Sequence, residues 1–349
     1  MSLPLPDGPL TPTPRASGFR SDRPAPDRNL ALELVRTTEA AALAAARLVG
    51  KGDKIAADQA AVDGMHAVLG SVSMDGIVVI GEGEKDEAPM LANGERIGDG
   101  TPPECDIAVD PLEGTTLTAK GMPNALSVIA LSPRGTMFDP GPCVYMEKMA
   151  AAEDLADLLD LDRPIGDTIG LMAERRGCEP GDLMVIVLDR PRHQEGITAI
   201  RDAGARVRLI SDGDVSAVLV AVIENRPVDL LWGVGGTPEG VISAAAVKCI
   251  GGGLVGRMWP RDDDERRRAL EAGYDLERQL TQDDLVKGDD CFFSATGVTD
   301  GDLLHGVRYR GNTAITESLV MRSRSGTVRR IEARHNRAKL RAVTGQRYG

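Results

Sequence analysis

The sequence predicts an α/β fold, and the first observation behind this prediction is a strict alternation of helical and strand patterns after residue 165. Apolar residues recur at helical spacing in one segment and as short β-branched runs in the next. The expected helices and strands are 166–176, 183–188, 193–203, 205–210, 214–224, 228–232, 238–248 and 253–258. Strands separated by helices of this length predict a largely parallel sheet with helices on both faces.

The second observation is the pattern before residue 165, where two helical segments precede short β-branched runs. Residues 30–49 are rich in Ala, Leu and Glu at helical spacing and are followed by Gly50 and Gly52, which indicates one long helix. A second helix is expected at 53–69. Strands of one sheet are expected at 76–80, 106–110, 125–131 and 141–149.

The segment after residue 258 has a third, more irregular pattern. A charged helix is expected around 261–277 and a strand at 291–297. Hairpin-like segments follow near Tyr309 and Thr327, and the sequence contains no internal repeat.

Composition narrows the class of protein. The chain has 349 residues, 42% of them hydrophobic, and no apolar run approaches the ~20 residues of a membrane span. The net charge of −12 argues against nucleic-acid or anionic-membrane binding by the chain as a whole. Five widely spaced cysteines fit free thiols, so we expect a cytoplasmic protein. The proline-rich residues 1–27 contain no secretion signal and are expected to be disordered.

Carboxylates concentrate in three segments. Lys54 and Asp58 are four residues apart and would share a helix face, although a surface ion pair has the same spacing. Four acids fall within residues 82–87, a density that solvated loops also show. The segment with Asp110 and Glu113 adds a rigid proline between them and a Gly-Thr helix start. Hard oxygen ligands beside free backbone amides indicate a magnesium or manganese site that accepts a phosphate group.

Seven segments carry a resemblance to a known family: GDKIAADQAAV, IVVIGEGEKDEAPML, DIAVDPLEGTT, PRH, SDGD, GVGGTPEG and SATGVTDGDLL. Together they resemble class II fructose-1,6-bisphosphatases, in the lithium-sensitive phosphatase superfamily, over residues 28–335. The resemblance implies a layered α/β/α/β/α sugar-phosphatase fold with the active site between two subdomains. The implied divisions are a metal-binding part 28–158, a substrate part 159–300 and C-terminal strands with a tail at 301–349.

The resemblance also implies roles for individual residues. Two or more Mg²⁺ or Mn²⁺ ions would be held by Asp58, Glu82, Asp110, Glu113 and Glu239. Thr115 would orient the attacking water, with Asp86 as its acidic partner, Lys54 stabilising phosphate charge and Glu84 contributing. Substrate would contact Glu113, Gly114, Thr115, Tyr145, Arg190, Arg192, Asp212, Gly213, Asp214 and Gly236.

The implied reaction is metal-dependent hydrolysis of the 1-phosphate of fructose 1,6-bisphosphate, giving fructose 6-phosphate and phosphate in gluconeogenesis. Sedoheptulose 1,7-bisphosphate is an alternative or second substrate. An inositol-monophosphatase-like enzyme and a non-catalytic metal-binding regulator are more distant alternatives. The expected partner is a small sugar bisphosphate, with no nucleic acid and no membrane, and a homodimer or homotetramer is the default assembly.

Two further patterns have competing interpretations. Gly233-Val234-Gly235-Gly236 between a strand and a helix resembles a dinucleotide fingerprint, but no acidic residue ends the next strand. The arginine-rich segment after residue 321 could be an RNA-binding tail, but it has almost no interleaved aromatic residues. Of the four histidines, His193 beside Arg192 is the best candidate for a site residue.

Overall fold

The computed structural model describes residues 30–81, 90–223 and 227–344. Its α-helices are α1 Ala31–Ala45, α2 Lys54–Leu69, α3 Thr115–Lys120, α4 Ile165–Arg176, α5 Gln194–Asp202, α6 Asp214–Val222, α7 Thr237–Ile250, α8 Asp263–Glu271, α9 Gln282–Leu285 and α10 Arg337–Thr344. Its strands are β1 Asp75–Ile80, β2 Arg96–Ile97, β3 Glu104–Glu113, β4 Leu126–Pro133, β5 Tyr145–Ala151, β6 Met184–Leu188, β7 Arg206–Ile210, β8 Leu230–Gly236, β9 Gly253–Met258, β10 Leu280–Thr281, β11 Phe292–Gly297, β12 Arg308–Arg310, β13 Thr313–Arg322 and β14 Thr327–Asn336.

The strands form two sheets, and the α/β class is as predicted. The first sheet has eight strands in the order β12-β13-β11-β4-β3-β1-β2, with β14 paired to the free edge of β13. Its pairs are antiparallel except β1 with β3. The C-terminal hairpins expected near Tyr309 and Thr327 are therefore part of this sheet.

The second sheet has six strands in the order β10-β9-β5-β8-β6-β7. Strands β6, β7, β8 and β9 run in the same direction, because β8 and β9 are both antiparallel to β5, which lies between them, while β10 is antiparallel to β9. The prediction of a largely parallel sheet is therefore correct for the direction of the four predicted strands, but the sheet is mixed because β5 and β10 run the opposite way. The alternating pattern predicted these elements correctly, but it did not reveal that β5, an earlier strand, lies antiparallel between β8 and β9.

The position of strand β5 corrects the prediction. The sequence predicted that segment 141–149 continues the first sheet, but β5 lies between β8 and β9 in the second. Its sequence is rich in Met and Ala, and such a run fits the centre of either sheet. The partner choice depends on contacts with strands that come about eighty residues and more later in the chain, which a local pattern does not contain.

Helices pack on both faces of each sheet. In β3, Ile107 and Val109 belong to the apolar core beneath α1 and α2, whereas the intervening Ala108 faces the core built around α6 and α7. The same central core takes Ala150 of β5, while Met149 faces the core with α4 and α5. Helices α6 and α7 thus contact residues of both sheets, and their N-terminal ends bring loops together there.

The membership of the two sheets can be compared with the predicted division of the chain into parts. Boundaries at residues 158 and 300 stay predictions, but sheet membership divides the chain elsewhere, because β5 belongs to the second sheet and β11 to the first. The lead 1–27 lies outside the described residues. No helix in the described part is long and apolar enough to cross a membrane.

Candidate active site

A bulge near the end of β3 aligns two acidic side chains. Asp110 pairs with Val128 but Glu113 pairs with Leu126, so β3 contains one extra residue at this point. Residues three apart on a regular strand point to opposite faces, and the extra residue places Asp110 and Glu113 on the same side. Pro111 fits the bulge because it has no N–H to donate to the ladder.

The third acidic side chain, Glu239, comes from the first turn of α7, next to the end of β8. The two glycines that end β8 make room for carboxylates. A Cβ on Gly236 would lie 1.7 Å from Glu239 Oε2, and a Cβ on Gly235 would lie 2.1 Å from Asp214 Oδ2. The glycine run that resembles a dinucleotide fingerprint therefore gives clearance to two carboxylates, which would repel a pyrophosphate.

The three carboxylates of Asp110, Glu113 and Glu239 form one cluster, which we call the acidic triad. One oxygen from each lies within 4.8 Å of the others. Burial raises the pKa of Glu113 well above its ordinary value, and the charges of Asp110 and Glu239 raise it further. Burial likewise raises the pKa of Glu239. The triad is thus a place where negative charge is poorly compensated by the protein itself.

The acidic triad fits a divalent cation. Its donors are all carboxylate oxygens, the ligand type that Mg²⁺ and Mn²⁺ prefer. Glu239 Oε2 is buried and has no hydrogen-bond partner among the described residues, and a buried charged oxygen is costly to leave unpaired. A cation bound there would satisfy that oxygen and offset the repulsion between the three charges.

The other predicted catalytic residues lie partly beside the triad in sequence and partly outside the described residues. Thr115 starts α3 directly after the Gly114 cap, which adopts a left-handed φ of 88°. Lys54 of α2 reaches the same helix, where its Nζ donates to Thr116 Oγ1 at 2.8 Å. Asp58 lies one turn further along α2, half-buried. Glu82, Glu84 and Asp86 fall in 82–89, outside the described residues.

The SDGD segment connects to the triad through the backbone. Gly213 adopts a left-handed φ of 93° and caps α6, so Asp214 begins that helix. The N–H of Val215 donates to Glu113 Oε1 at 2.7 Å. The residue that follows the predicted sugar contact Asp214 is therefore hydrogen-bonded to the predicted metal ligand Glu113. Asp212 is half-exposed on the preceding loop.

Two arginines and one tyrosine form a positively charged cluster, the arginine pair. Arg190 donates to the carbonyl of Ser211 at 2.8 Å, and Arg192 donates to that of Val234 at 2.6 Å and lies 5.0 Å above the ring of Tyr145. Within the described part of the chain, neither guanidinium pairs with a carboxylate. Burial lowers the pKa of Arg192, and the charge of Arg190 lowers it too. Two uncompensated guanidinium groups suit an anion.

His193 holds the loop of the arginine pair in place. Its Nδ1 lies 2.7 Å from the carbonyl of Leu188, and its Nε2 accepts the N–H of Val234 at 2.8 Å. These partners require the tautomer with the proton on Nδ1, and burial lowers the pKa of the ring, which favours that neutral form. His193 is therefore a buried side chain that joins β6 to β8 through two hydrogen bonds.

Sequence reasoning missed Lys148 of β5. Its side chain is only 1% exposed, and its Nζ donates to Asp214 Oδ2 and, at 2.8 Å, to the carbonyl of Gly236. A lysine two residues from buried Met146 in a strand pattern was the available signal. It was weak because the neighbouring Glu147 is charged as well.

The arginine-rich C-terminal segment has several acidic partners. Arg322 forms two hydrogen bonds with Asp290, and Arg330 pairs with Glu317. These arginines are therefore engaged in ion pairs within the fold, which favours a structural role for the segment over RNA binding.

Comparison with known proteins agrees with this arrangement. The sequence profile of the family described as bacterial fructose-1,6-bisphosphatase, glpX-encoded, matches residues 28–335. The chain belongs to this family. It is 42% identical over 322 residues to fructose-1,6-bisphosphatase class 2 of Haemophilus influenzae, covering 88% of this chain and 96% of that protein. It is also 42% identical over 321 residues to fructose-1,6-bisphosphatase 1 class 2 of Escherichia coli K12, covering 88% of this chain and 95% of the relative.

All the described residues of the candidate site lie within the part of the chain that matches the class 2 fructose-1,6-bisphosphatase family. The acidic triad, the arginine pair and Lys148 all lie between residues 28 and 335. The match covers nearly all of the relatives' length and is not confined to one part of them.

Proposed function

We propose that this protein hydrolyses the 1-phosphate of fructose 1,6-bisphosphate to give fructose 6-phosphate and phosphate, a step of gluconeogenesis. The observation that supports this most is the acidic triad, in which β3 and α7 bring three carboxylates together within a chain of the class 2 family. Both relatives named above carry this activity in their names.

The proposed cofactors are two or more Mg²⁺ or Mn²⁺ ions. Asp110, Glu113 and Glu239 would hold one, and Asp58 with Glu82 would hold another. Bound cations would supply charge neutralisation at the phosphate and lower the pKa of the attacking water. The support for the first site is the unpartnered Glu239 oxygen and the all-carboxylate donor set.

The chain's own groups would orient the reaction. Thr115, at the start of α3 and two residues after Glu113, would hold the attacking water, with Asp86 as the group that takes its proton. Lys54 contacts the next residue, Thr116, so its ammonium group is close enough to α3 to stabilise charge on the phosphate. Glu84 would contribute to the same acidic environment.

The arginine pair would bind the distal phosphate. Arg190 and Arg192 offer planar donors to phosphate oxygens, and Tyr145 stacks against the second guanidinium. Asp212, Asp214 and Gly236 would contact sugar hydroxyls between the two phosphates, with Gly114 and Gly213 supplying backbone groups. A monophosphate such as inositol 1-phosphate would leave the arginine pair without its anion.

The proposed setting is the cytoplasm, where the five free cysteines stay reduced. We also propose a homo-oligomer, a dimer or tetramer. Among the described strands, the ten-residue edge strand β14 pairs only with β13, so its other side gives each copy a surface on which a second copy could pair.

The test is phosphate release from fructose 1,6-bisphosphate, sedoheptulose 1,7-bisphosphate and inositol 1-phosphate, each with Mg²⁺, Mn²⁺ or EDTA. Wild type is compared with Asp110→Ala and Thr115→Ala. We expect metal-dependent release from fructose 1,6-bisphosphate that is lost in both folded variants. Faster turnover of the seven-carbon sugar would move the assignment to a sedoheptulose-bisphosphatase. No release from any substrate would leave a metal-binding regulator as the better explanation.

A further inference from the structure

Lys148 is a charged residue in an apolar interior. Met146 and Ala150, two positions away on either side, belong to the central core around α6 and α7, and strand alternation directs Lys148 to the same face. Its side chain is among the most completely buried in the described residues. An ammonium group removed from water costs several kcal/mol unless the protein supplies partners for it.

The partners of Lys148 are two of the residues proposed to contact the sugar. Its Nζ donates to Asp214 Oδ2 and to the carbonyl oxygen of Gly236, 2.8 Å away. A buried ion pair adds little stability compared with an apolar pair of the same volume, so stability alone is a weak reason for this arrangement. Charge-assisted hydrogen bonds are short and directional, which makes them suitable for orienting their acceptors.

The backbone at Gly235 also leaves room for the contact between Lys148 and Asp214. Gly235 leaves the space that the Asp214 carboxylate occupies, and a Cβ there would lie 3.1 Å from Lys148 Cε. Lys148 also lies near the acidic triad, where its charge opposes the rise in the pKa of Glu239. Because Lys148 is enclosed, it acts on a substrate only through the groups that it holds.

We propose that Lys148 is a positioning residue for sugar binding, whose ammonium group fixes the Asp214 carboxylate and the Gly236 carbonyl in the orientation that meets the sugar hydroxyls. With Oδ2 engaged by Lys148, the other carboxylate oxygen of Asp214 is the one available to a hydroxyl. This inference rests on the proposed function, since the sugar contacts of Asp214 and Gly236 belong to it.

The test measures KM and kcat for phosphate release from fructose 1,6-bisphosphate at saturating Mn²⁺ in Lys148→Met, Asp214→Asn and the double variant. Sugar-hydroxyl contacts hold the substrate in both ground and transition states, so their loss affects KM more than kcat. We expect Lys148→Met to raise KM by about tenfold or more, with kcat changed less than about threefold. Lys148→Met should add little in the Asp214→Asn background, because both changes remove the same contact.

The matched control is Arg322→Met, which breaks a partly buried ion pair with Asp290 at the far end of β13. It should lower the melting temperature without changing KM. A KM for Lys148→Met equal to that of wild type, or effects of Lys148→Met and Asp214→Asn that simply add, would overturn the proposal. Lys148→Gln serves as a second variant, and failure of both Lys148 variants to fold would assign this lysine to stability alone. An inactive wild type would instead overturn the proposed function.

Discussion

Glu239 shows at the scale of one residue why the proposed metal site should lower the stability of the metal-free protein. Its carboxylate is buried, one oxygen has no partner among the described residues, and its neighbours in the acidic triad carry the same charge. Burial of such a group costs free energy, which the nearby charge of Lys148 offsets only in part and a bound cation would offset further. The metal-free protein should therefore be less stable than a variant with a neutral group at this position.

We expect Glu239→Gln to raise the unfolding temperature in EDTA by about 2 °C or more, because the variant removes one buried charge from the triad. Added Mn²⁺ should stabilise wild type and stabilise the variant less, since binding to the folded state alone raises stability. Thermal unfolding with EDTA and with Mn²⁺ measures both effects. A lower unfolding temperature for Glu239→Gln in EDTA would mean that the carboxylate is already well compensated.

Glu39 of α1 is a second buried carboxyl group, far from the triad in sequence. The Thr316 hydroxyl donates to its Oε1 at 2.9 Å, and His335 Nε2 lies 3.6 Å from the same atom. Burial raises the pKa of Glu39 to about 7. The folded state therefore holds this proton more tightly than the unfolded state, and the resulting stability is present at low pH and is lost as pH rises through about 7.

We expect the Glu39→Gln variant to gain stability relative to wild type between pH 5 and pH 8, by at most about 3 kcal/mol. The amide of the variant keeps an acceptor for Thr316 but has no titratable proton to lose. His335, whose pKa is lowered by burial, is present in both proteins, so its effect largely cancels in the comparison. Urea unfolding at the two pH values gives the difference, and parallel pH profiles for the two proteins would contradict it.

At the scale of elements, the site depends on irregular features at the ends of strands. The bulge in β3 aligns Asp110 with Glu113, and the glycines that end β8 leave room for Glu239 and Asp214. A regular strand in either place would point one carboxylate away or collide with it. A substitution at one of these positions should therefore change activity more than it changes the stability of the fold.

We expect Gly236→Ala to fold and to lose activity. The backbone at Gly236 has φ −67° and ψ 141°, which any residue adopts, and the atoms nearest to the added Cβ belong to the flexible end of Glu239. Displacing that carboxylate should lower kcat/KM by at least about tenfold while the melting temperature changes little. Gly170→Ala in α4 is the control, because its Cβ has open space and alanine favours the helix. Full activity of a folded Gly236→Ala would contradict the assigned role of Glu239.

Most elements were predictable from sequence because their periodicity is local. The helix of 54–69 and the strands around 184 and 206 were placed to within two residues, since each follows its own apolar pattern. Membership of β5 was not predictable, because a strand's partners are decided by distant segments. The burial of Lys148 was not predictable for the same reason, since it follows from the position of β5 between β8 and β9.

At the scale of the whole molecule, the site joins segments that are far apart in the chain. Helix α7 lies against both sheets and carries Glu239 at the end where β3 delivers Asp110 and Glu113. The roles of these residues came from a family resemblance, and no spacing rule connects Glu239 to the other two. Their proximity required the fold, since two separate sheets must pack on the same pair of helices to produce it.

Sequence patterns therefore predict the site less fully than they predict the elements of the fold. Motifs indicated its residue types, because hard oxygen ligands beside a helix start suit metal and phosphate. Packing of the fold produces the other features of the site, and no sequence pattern indicated them. They are the hydrogen bond from Val215 to Glu113, the clearance at Gly235 and the hydrogen bonds of His193.

The most direct test of the acidic triad is Mn²⁺ binding, followed by the electron paramagnetic resonance signal of the free ion as protein is titrated. Wild type, Glu239→Gln and the surface control Asp283→Asn are compared without substrate. We expect wild type and the control to bind Mn²⁺ alike, and Glu239→Gln to bind at least about tenfold more weakly or to lose one site, because one of three carboxylate ligands is gone. Equal affinity and stoichiometry in all three proteins would contradict a metal site that joins β3 to α7.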